Sequence, residues 1–347
     1  MKITKTQIIR TVCFMAVLFL VAWQINKIFI PKWKGGSDTI AQITTFYTQP
    51  KNSLDVMFFG ASSILCDISP LHLWEAYGIT SYTRATPSTA PAIIYGVFKE
   101  TLRYQQPKVI VLDGITLFTA YDVDKNEPYL RKSIDPLPLS FEKLEMIQYI
   151  ASHSSNQTAS SYLFPLLRYH SSWSSLTADN FDYDSHVNAD RFHGEAVRPL
   201  GTPYTFPEGL MTPTTKVRDL DKESMEYYKK IFEICKQKGI DVILVSLPKV
   251  KWNYAQHLAL QNFASQYGIP YVDYNLPENR EAMQLDPSVD FYDSGHLTGF
   301  AAIKLTDDFG KFLKANYDLA DKRGDPVYSL WEEDLAIYHQ HLENLKQ

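Results

Sequence analysis

The chain has 347 residues, of which 45% are hydrophobic and 21% are charged, and its formal net charge is −5. This length accommodates one large α/β domain with additional segments, and this composition excludes an intrinsically disordered chain. The mildly negative charge argues against nucleic acid as a partner. Three scattered cysteines, Cys13, Cys66 and Cys235, do not suit a disulfide scaffold. Neither C-x-x-C nor H-E-x-x-H occurs, so the sequence predicts no dedicated metal site.

An apolar segment near the N-terminus predicts a membrane anchor over residues 1–33. Residues 12–23 contain no polar side chain, and the polar residues that follow can reach the lipid headgroups. The run is short for the roughly 20 residues that cross a bilayer, but a span remains feasible. No small-x-small cleavage site follows it, which favours an uncleaved anchor over a signal peptide or a buried helix. The short leading segment favours a single pass with the remaining chain outside the cytoplasm, although the basic residues on the two sides are nearly balanced.

Residues 34–53 are interpreted as a linker, and a folded domain is predicted over residues 54–320. Four short apolar runs suit strands that are buried on both faces of a parallel sheet, namely residues 54–60, 108–114, 240–246 and 269–273. Helical periodicity is found at residues 90–104, 222–238, 257–267 and 298–314. The alternation predicts a three-layer α/β fold with its working site beyond the carboxyl ends of the strands.

Residues 119–221 lack clear periodicity and are predicted to be an insertion. A segment of this length is either a functional lid or binding surface, or a set of short helices. Its aromatic side chains could stack on sugars or form a small core of their own, and they include Tyr162, Tyr169, Trp173, Phe181 and Tyr183. The final segment, residues 321–347, has apolar residues every three or four positions. It predicts an amphipathic helix that either docks on the domain or binds a partner.

The candidate catalytic residues lie at the two ends of the domain. Ser62 and Ser63 follow the first predicted strand in a tight turn, where a hydroxyl projects above the sheet and a backbone N–H can face an oxyanion. Asp293 precedes His296 by three residues at the entrance of a helix, a spacing that lets a carboxylate orient an imidazole. The alternative is that Asp293 only caps the helix.

At these two places the sequence resembles the SGNH, or GDSL-type, hydrolase superfamily, over residues 54–317 without the insertion. The first motif of that family is a strand followed by Gly-x-Ser, matched by Gly60 and Ser62, and its last is Asp-x-x-His, matched by Asp293 and His296. The resemblance implies a flavodoxin-like sheet, with Ser62 as the nucleophile, His296 as the general base and Asp293 as its orienting partner. Ser63 is then the alternative nucleophile.

Two intermediate motifs depart from the family pattern. The second motif, which in the family supplies a glycine N–H to the oxyanion hole, corresponds to residues 82–88, which contain no glycine. The resemblance implies that the backbone N–H of Ala85 or Thr86 serves instead, together with that of Ser62. The third motif normally provides an asparagine, which is replaced here by Asp113. The side chains expected to line the site are Ser63, Arg84, Ser88 and Asp113.

A membrane-anchored chain with these departures is similar to the SGNH-like proteins that modify envelope polymers, such as alginate acetylation proteins and the teichoic-acid D-alanyl transfer protein. The resemblance implies serine-dependent acyl transfer or ester hydrolysis on a cell-surface glycopolymer, outside the membrane. It also implies a multispanning acyl-donating membrane partner and no cofactor or metal. The main alternative is a catalytically impaired scaffold or binding subunit of an acylation complex, and a third is another serine hydrolase such as a lipid thioesterase.

Overall fold

The computed structural model describes residues 4–32 and 39–346. Its centre is a parallel sheet with strand order β2-β1-β3-β4-β5, which is typical of flavodoxin-like doubly wound folds. The strands are β1 (Val56–Gly60), β2 (Ser81–Ala85), β3 (Val109–Asp113), β4 (Asp241–Ser246) and β5 (Tyr271–Asp273). A separate antiparallel pair comprises β6 (Phe291–Asp293) and β7 (His296–Leu297). The predicted α/β class with a parallel sheet is confirmed.

Helices cover both faces of the sheet because the strands alternate apolar side chains between two cores. Met57 and Phe59 of β1 belong to one apolar cluster, and Val56 and Phe58 belong to the other. The helices in chain order are α1 (Lys5–Phe29), α2 (Thr39–Thr44), α3 (Ser62–Asp67), α4 (Pro70–Tyr77), α5 (Pro91–Thr101), α6 (Glu127–Ile134), α7 (Phe141–His153), α8 (Ala159–Leu163), α9 (Leu166–Tyr169), α10 (Ala178–Phe181), α11 (Lys222–Lys238), α12 (Tyr254–Gln266), α13 (Pro277–Ala282), α14 (Gly299–Asn316) and α15 (Ser329–Leu345).

The apolar runs predicted as strands correspond to β1, β3, β4 and β5, whereas β2 has no counterpart in the sequence-based prediction. β2 is the edge strand beside β1, and all five of its residues are buried although three are polar. Partners engage two of these side chains: the Arg84 guanidinium lies 3.6 Å from Glu100, and the Tyr82 hydroxyl donates to the carbonyl of Gln42. Such partners come from distant segments, so hydropathy along the chain does not reveal the strand.

The insertion folds as the short helices α6 to α10, joined by a 3-10 helix (His170–Ser175) and extended segments. An apolar cluster that includes Ile147, Ile150 and Tyr162 holds its first half together. Its two ends meet beside the carboxyl end of β3, where the N–H of Asp221 donates to the carbonyl of Leu117 at 2.7 Å. The insertion is therefore attached at the same edge of the sheet as the residues that follow β1.

The N-terminal helix α1 spans 25 residues and has a mean hydropathy of 2.1 in its most apolar window. At about 1.5 Å per residue it is long enough to cross a membrane. Residues 33–38, which hold the end of the predicted anchor and the start of the predicted linker, lie outside the described residues, as do residues 1–3 and 347. Residues 39–48 form α2 and a 3-10 helix (Thr45–Thr48), in which Ile40 and Phe46 are buried.

The C-terminal helix α15 docks on the domain. Trp331 and Tyr338 are buried in the same apolar cluster as Met57, and the Trp331 ring lies 5.3 Å from that of Trp74 in α4. Ser69, just before α4, donates its hydroxyl proton to the Tyr338 hydroxyl at 2.9 Å. The sequence left open whether this helix docks on the domain or binds a partner, and in the structure its apolar face packs on the domain.

Candidate active site

The turn after β1 brings Ser62 to the carboxyl edge of the sheet as the first residue of α3. A Cβ atom at Gly60 would lie 2.6 Å from Cγ1 of Ile64 and 2.8 Å from Cβ of Asp113, distances that real Cβ atoms do not adopt. Glycine is therefore required for the strand to pass this closely beneath the helix. The backbone N–H groups at the start of α3 have no partner within the helix, which leaves them available to a developing oxyanion.

The turn between β6 and β7 brings Asp293 and His296 to the same serine. Nδ1 of His296 lies 2.9 Å from both carboxylate oxygens of Asp293, and the N–H of Gly295 also donates to this carboxylate at 2.8 Å. Because a carboxylate only accepts, Nδ1 carries the proton, and the Ser62 hydroxyl donates to Nε2 of His296 at 2.7 Å. The three residues singled out from the sequence thus lie in one hydrogen-bonded chain.

The protonation states of Asp293 and His296 suit proton abstraction from Ser62 at neutral pH. Burial lowers the pKa of His296, the hydrogen bond with Asp293 opposes the shift, and the ammonium of Lys249 adds to it, so that the net pKa is below the ordinary histidine value. Partial burial alone would raise the pKa of Asp293, but the hydrogen bonds from His296 and Gly295 outweigh it and hold the pKa below its usual range. A neutral imidazole beside a charged carboxylate follows.

Lys249 is a site residue that the sequence-based prediction missed. Its ammonium donates to the hydroxyl of Ser63 at 2.8 Å and to the carbonyl of Gly295 at 2.8 Å. It lies three residues after β4. The sequence could have indicated this position, because the residues that follow parallel strands come together at the carboxyl edge of the sheet. Lys249 therefore connects the turn that carries Ser62 to the turn that carries His296. Ser63 is only 2% exposed, and its hydroxyl accepts a hydrogen bond from this lysine.

Two buried carboxyl groups lie close enough to Lys249 to interact with its charge. Burial raises the pKa of Asp67 to about 8, against the opposing effects of Lys249 and of the Leu297 N–H, which donates to Asp67 at 2.8 Å. Burial also raises the pKa of Asp113, again against Lys249. The carboxyl of Asp113 accepts from the N–H of Ile115 at 3.0 Å and so caps the turn after β3. Asp113 therefore lies at the predicted edge, adjacent to Gly60.

The remaining candidates from the sequence follow β2. Ala85 pairs in register with Gly60, which puts its backbone at the same edge of the sheet. The Thr86 hydroxyl is engaged with those of Thr89 and Ser133. The Arg84 guanidinium points toward α2 and α5, where it donates to the Ile43 carbonyl at 3.1 Å. It also stacks on the Phe46 ring, whose centroid is 4.1 Å away, so its partners are not Ser62, Asp293 or His296. Ser88 is exposed, and its carbonyl accepts from Tyr121.

Arg198 of the insertion places a positive charge near the triad of Ser62, His296 and Asp293. The sequence-based prediction did not identify this residue. The Nε of Arg198 donates to the thiol sulfur of Cys66 at 3.2 Å, and its guanidinium lies 5.5 Å from the Tyr292 ring centroid. Its charge adds to the lowering of the His296 pKa. Nothing in the local sequence around Arg198 marks this position, because its relation to the triad exists only after folding. Within the described ranges, 4–32 and 39–346, no group of three or more His, Cys, Asp or Glu side chains is arranged to hold a metal ion.

Comparison with known proteins gives limited information. No family model matches the chain, and no curated protein matches it. Solved structures that match include a crystal structure from Bacteroides fragilis NCTC 9343, described as that of a candidate acylhydrolase. It shares 11% sequence identity, covers 81% of this chain and 98% of its own, and superposes with a TM-score of 0.37. A similarity this low assigns no activity.

Proposed function

We propose that this chain is an SGNH-type serine enzyme that transfers or hydrolyses an ester-linked acyl group. The observation that supports this is the hydrogen-bonded chain from Asp293 through His296 to Ser62, with contacts of 2.9 Å and 2.7 Å. The same three side chains on unrelated folds carry out acyl transfer because they activate a hydroxyl that is a weak nucleophile on its own.

In the proposed reaction, Ser62 attacks the acyl carbonyl as His296 takes its hydroxyl proton, and Asp293 stabilises the imidazolium. The carbonyl oxygen becomes an oxyanion facing the N–H groups at the start of α3, with the N–H of Ala85 or Thr86 as a further donor. The bond to the leaving alcohol then breaks as His296 protonates that alcohol. In the second half, His296 deprotonates water or an acceptor hydroxyl, whose oxygen attacks the acyl-serine. The bond from the acyl carbon to Oγ of Ser62 then breaks as His296 returns its proton to Oγ, which restores the free serine and the neutral imidazole.

We propose that the acceptor or substrate is a cell-surface glycopolymer and that α1 holds the enzyme at the membrane in a single pass, with residues 39–346 outside the cytoplasm. The apolar helix α1 supports the anchor, and the resemblance of the sequence to SGNH-like proteins that modify envelope polymers supports the substrate class. A multispanning membrane protein that supplies the acyl group is the proposed partner. The chemistry needs no cofactor or metal.

A fluorophosphonate probe tests the nucleophile directly, because it forms a covalent bond with an activated serine. The full chain in detergent is incubated with the probe, and the labelled residue is located by peptide mass spectrometry. We expect labelling of Ser62 in the wild type and in Ser63→Ala, and no labelling in Ser62→Ala. Labelling that persists in Ser62→Ala, or that requires Ser63, contradicts the assignment.

The second candidate function is a scaffold or binding subunit of an acylation complex. Asp113 favours the scaffold function. It occupies the position at which the family has an asparagine that donates to the oxyanion, and its buried carboxyl instead accepts from the N–H of Ile115. The two functions predict different behaviour in cells. A scaffold predicts normal polymer acylation in a Ser62→Ala strain and loss in a deletion strain, whereas an enzyme predicts loss in both.

A further inference from the structure

The exposed Phe and Trp side chains have an uneven distribution. In the described part of the chain, every Phe or Trp side chain that is exposed belongs either to α1 or to the insertion between residues 141 and 181, and these are Phe14, Phe19, Trp23, Phe141, Phe164, Trp173 and Phe181. Phe141 is 81% exposed and Trp173 is 72% exposed. Large apolar side chains concentrated on one surface mark an interaction site.

Phe19 and Trp23 of α1 and Phe164 of the insertion line a groove of about 770 Å³ between α1 and the insertion. One wall comprises Phe19, Ala22 and Trp23 of α1. The opposite wall is formed by apolar residues of the insertion, which include Leu139, Leu144, Leu163 and Phe164. The groove is therefore lined mainly by apolar side chains, and both of its walls belong to this chain.

The position of the groove relative to the membrane follows from the length of α1. The helix runs from Lys5 to Phe29, and a membrane span takes about 20 residues of it. Every stretch of that length within these bounds contains residues 10–24, and therefore contains Phe19, Ala22 and Trp23. Wherever the span begins, the α1 wall of the groove lies inside the hydrocarbon core.

The insertion is attached to the last turns of α1 and cannot be far from the bilayer. The N–H of Leu166 donates to the side-chain oxygen of Asn26 at 2.9 Å. The Lys27 ammonium lies 3.7 Å from Asp184 and 5.3 Å from the ring centroid of Tyr183. Helices α9 and α10 and the 3-10 helix between them also contact α1.

We propose that residues 139–181 form a membrane-seating surface and that phospholipid acyl chains of the outer leaflet fill the groove beside α1. Lipid surrounds any spanning helix, and the exposed Phe141, Trp173 and Phe181 do not line the groove, so an occupant of the groove alone would leave them uncovered. This inference depends on the membrane anchor of the proposed function but not on the catalytic role of Ser62.

Fluorescence quenching by brominated lipid tests the proposal. An environment-sensitive fluorophore is attached to single cysteines in the full chain carrying Cys13→Ser, since Cys66 and Cys235 are buried. The test positions are Phe141→Cys, Phe164→Cys and Trp173→Cys, with Leu20→Cys in α1 as the positive control and the exposed Val289→Cys and Val327→Cys as negative controls. Each protein is placed in phosphatidylcholine nanodiscs with and without bromine on the acyl chains.

Interfacial side chains enter the acyl boundary by about 5–10 Å, so we expect brominated acyl chains to quench the three insertion labels, as they quench the label at Leu20. Labels at Val289 and Val327 should be unaffected. Quenching at Leu20 alone overturns the seating surface and leaves the anchor intact. If the unquenched insertion labels are then shielded from aqueous iodide, a second copy of the chain covers this surface instead of lipid. No quenching at Leu20 overturns the anchor as well, and fluorophosphonate labelling of the same nanodiscs reports separately on Ser62.

Discussion

The ammonium of Lys249 lies 2.8 Å from the hydroxyl oxygen of Ser63, the residue that follows the candidate nucleophile. The same ammonium binds the carbonyl of Gly295, one residue before His296. Two turns from opposite ends of the domain are thus held by one side chain. In the proposed reaction Lys249 is a positioning residue, because it contacts Ser63 and Gly295, the neighbours of Ser62 and His296.

Replacing Lys249 with methionine should change both the rate and the pH dependence of ester hydrolysis. Its positive charge lowers the pKa of His296, so its removal raises that pKa and shifts the acidic limb of the kcat/KM profile to higher pH. Loosening of the two turns should lower kcat by about tenfold or more, a part of the roughly 10²–10⁴-fold that positioned acid–base groups contribute. Lys251→Met, exposed two residues away, is the matched control. An unshifted acidic limb in Lys249→Met would contradict this role.

The sequence predicts those parts of the fold and site that depend on local pattern. The apolar runs of β1, β3, β4 and β5 stand out, and the serine turn and the Asp293–His296 spacing are short-range features. β2 was not predicted, because its polar residues are buried against other segments of the chain, and Arg84, which was expected to line the site, instead contacts α2 and α5. Arg198 and Asp67 approach the triad only through tertiary folding.

Replacing Asp67 with asparagine should alter the pH dependence of stability. Burial raises its pKa to about 8 in the folded protein, against about 3.9 in the unfolded chain. The wild type therefore loses stability as the pH rises through this window, because the carboxyl ionises in the unfolded chain while burial keeps it protonated in the folded protein. The melting temperature of Asp67→Asn relative to the wild type should increase from pH 5 to pH 8. The exposed Asp318→Asn serves as the control, and a pH-independent difference for Asp67→Asn would refute the expectation.

Replacing Gly60 with alanine should destabilise the serine turn. The new methyl group would lie within 2.8 Å of Ile64 and Asp113, so the strand or helix α3 must move. Overpacking of this kind costs about 1–3 kcal/mol in the free energy of unfolding, measured by denaturant titration. In Gly295→Ala the new methyl group would be 3.7 Å from its nearest neighbours, an ordinary contact, and we expect little change. Equal stability of the two variants would argue against the tight packing at Gly60.

The central claim is that Ser62 and His296, whose side chains are 2.7 Å apart, work as one catalytic unit. Its most direct test is the kcat/KM for a fluorogenic acetyl ester in Ser62→Ala, His296→Ala and the double variant. We predict that each single change lowers kcat/KM by about 10⁴-fold, that Asp293→Asn loses less, and that the double variant loses no more than either single change. Folding is checked by circular dichroism. Independent, multiplicative losses in the double variant, or full activity in Ser62→Ala, would contradict the account.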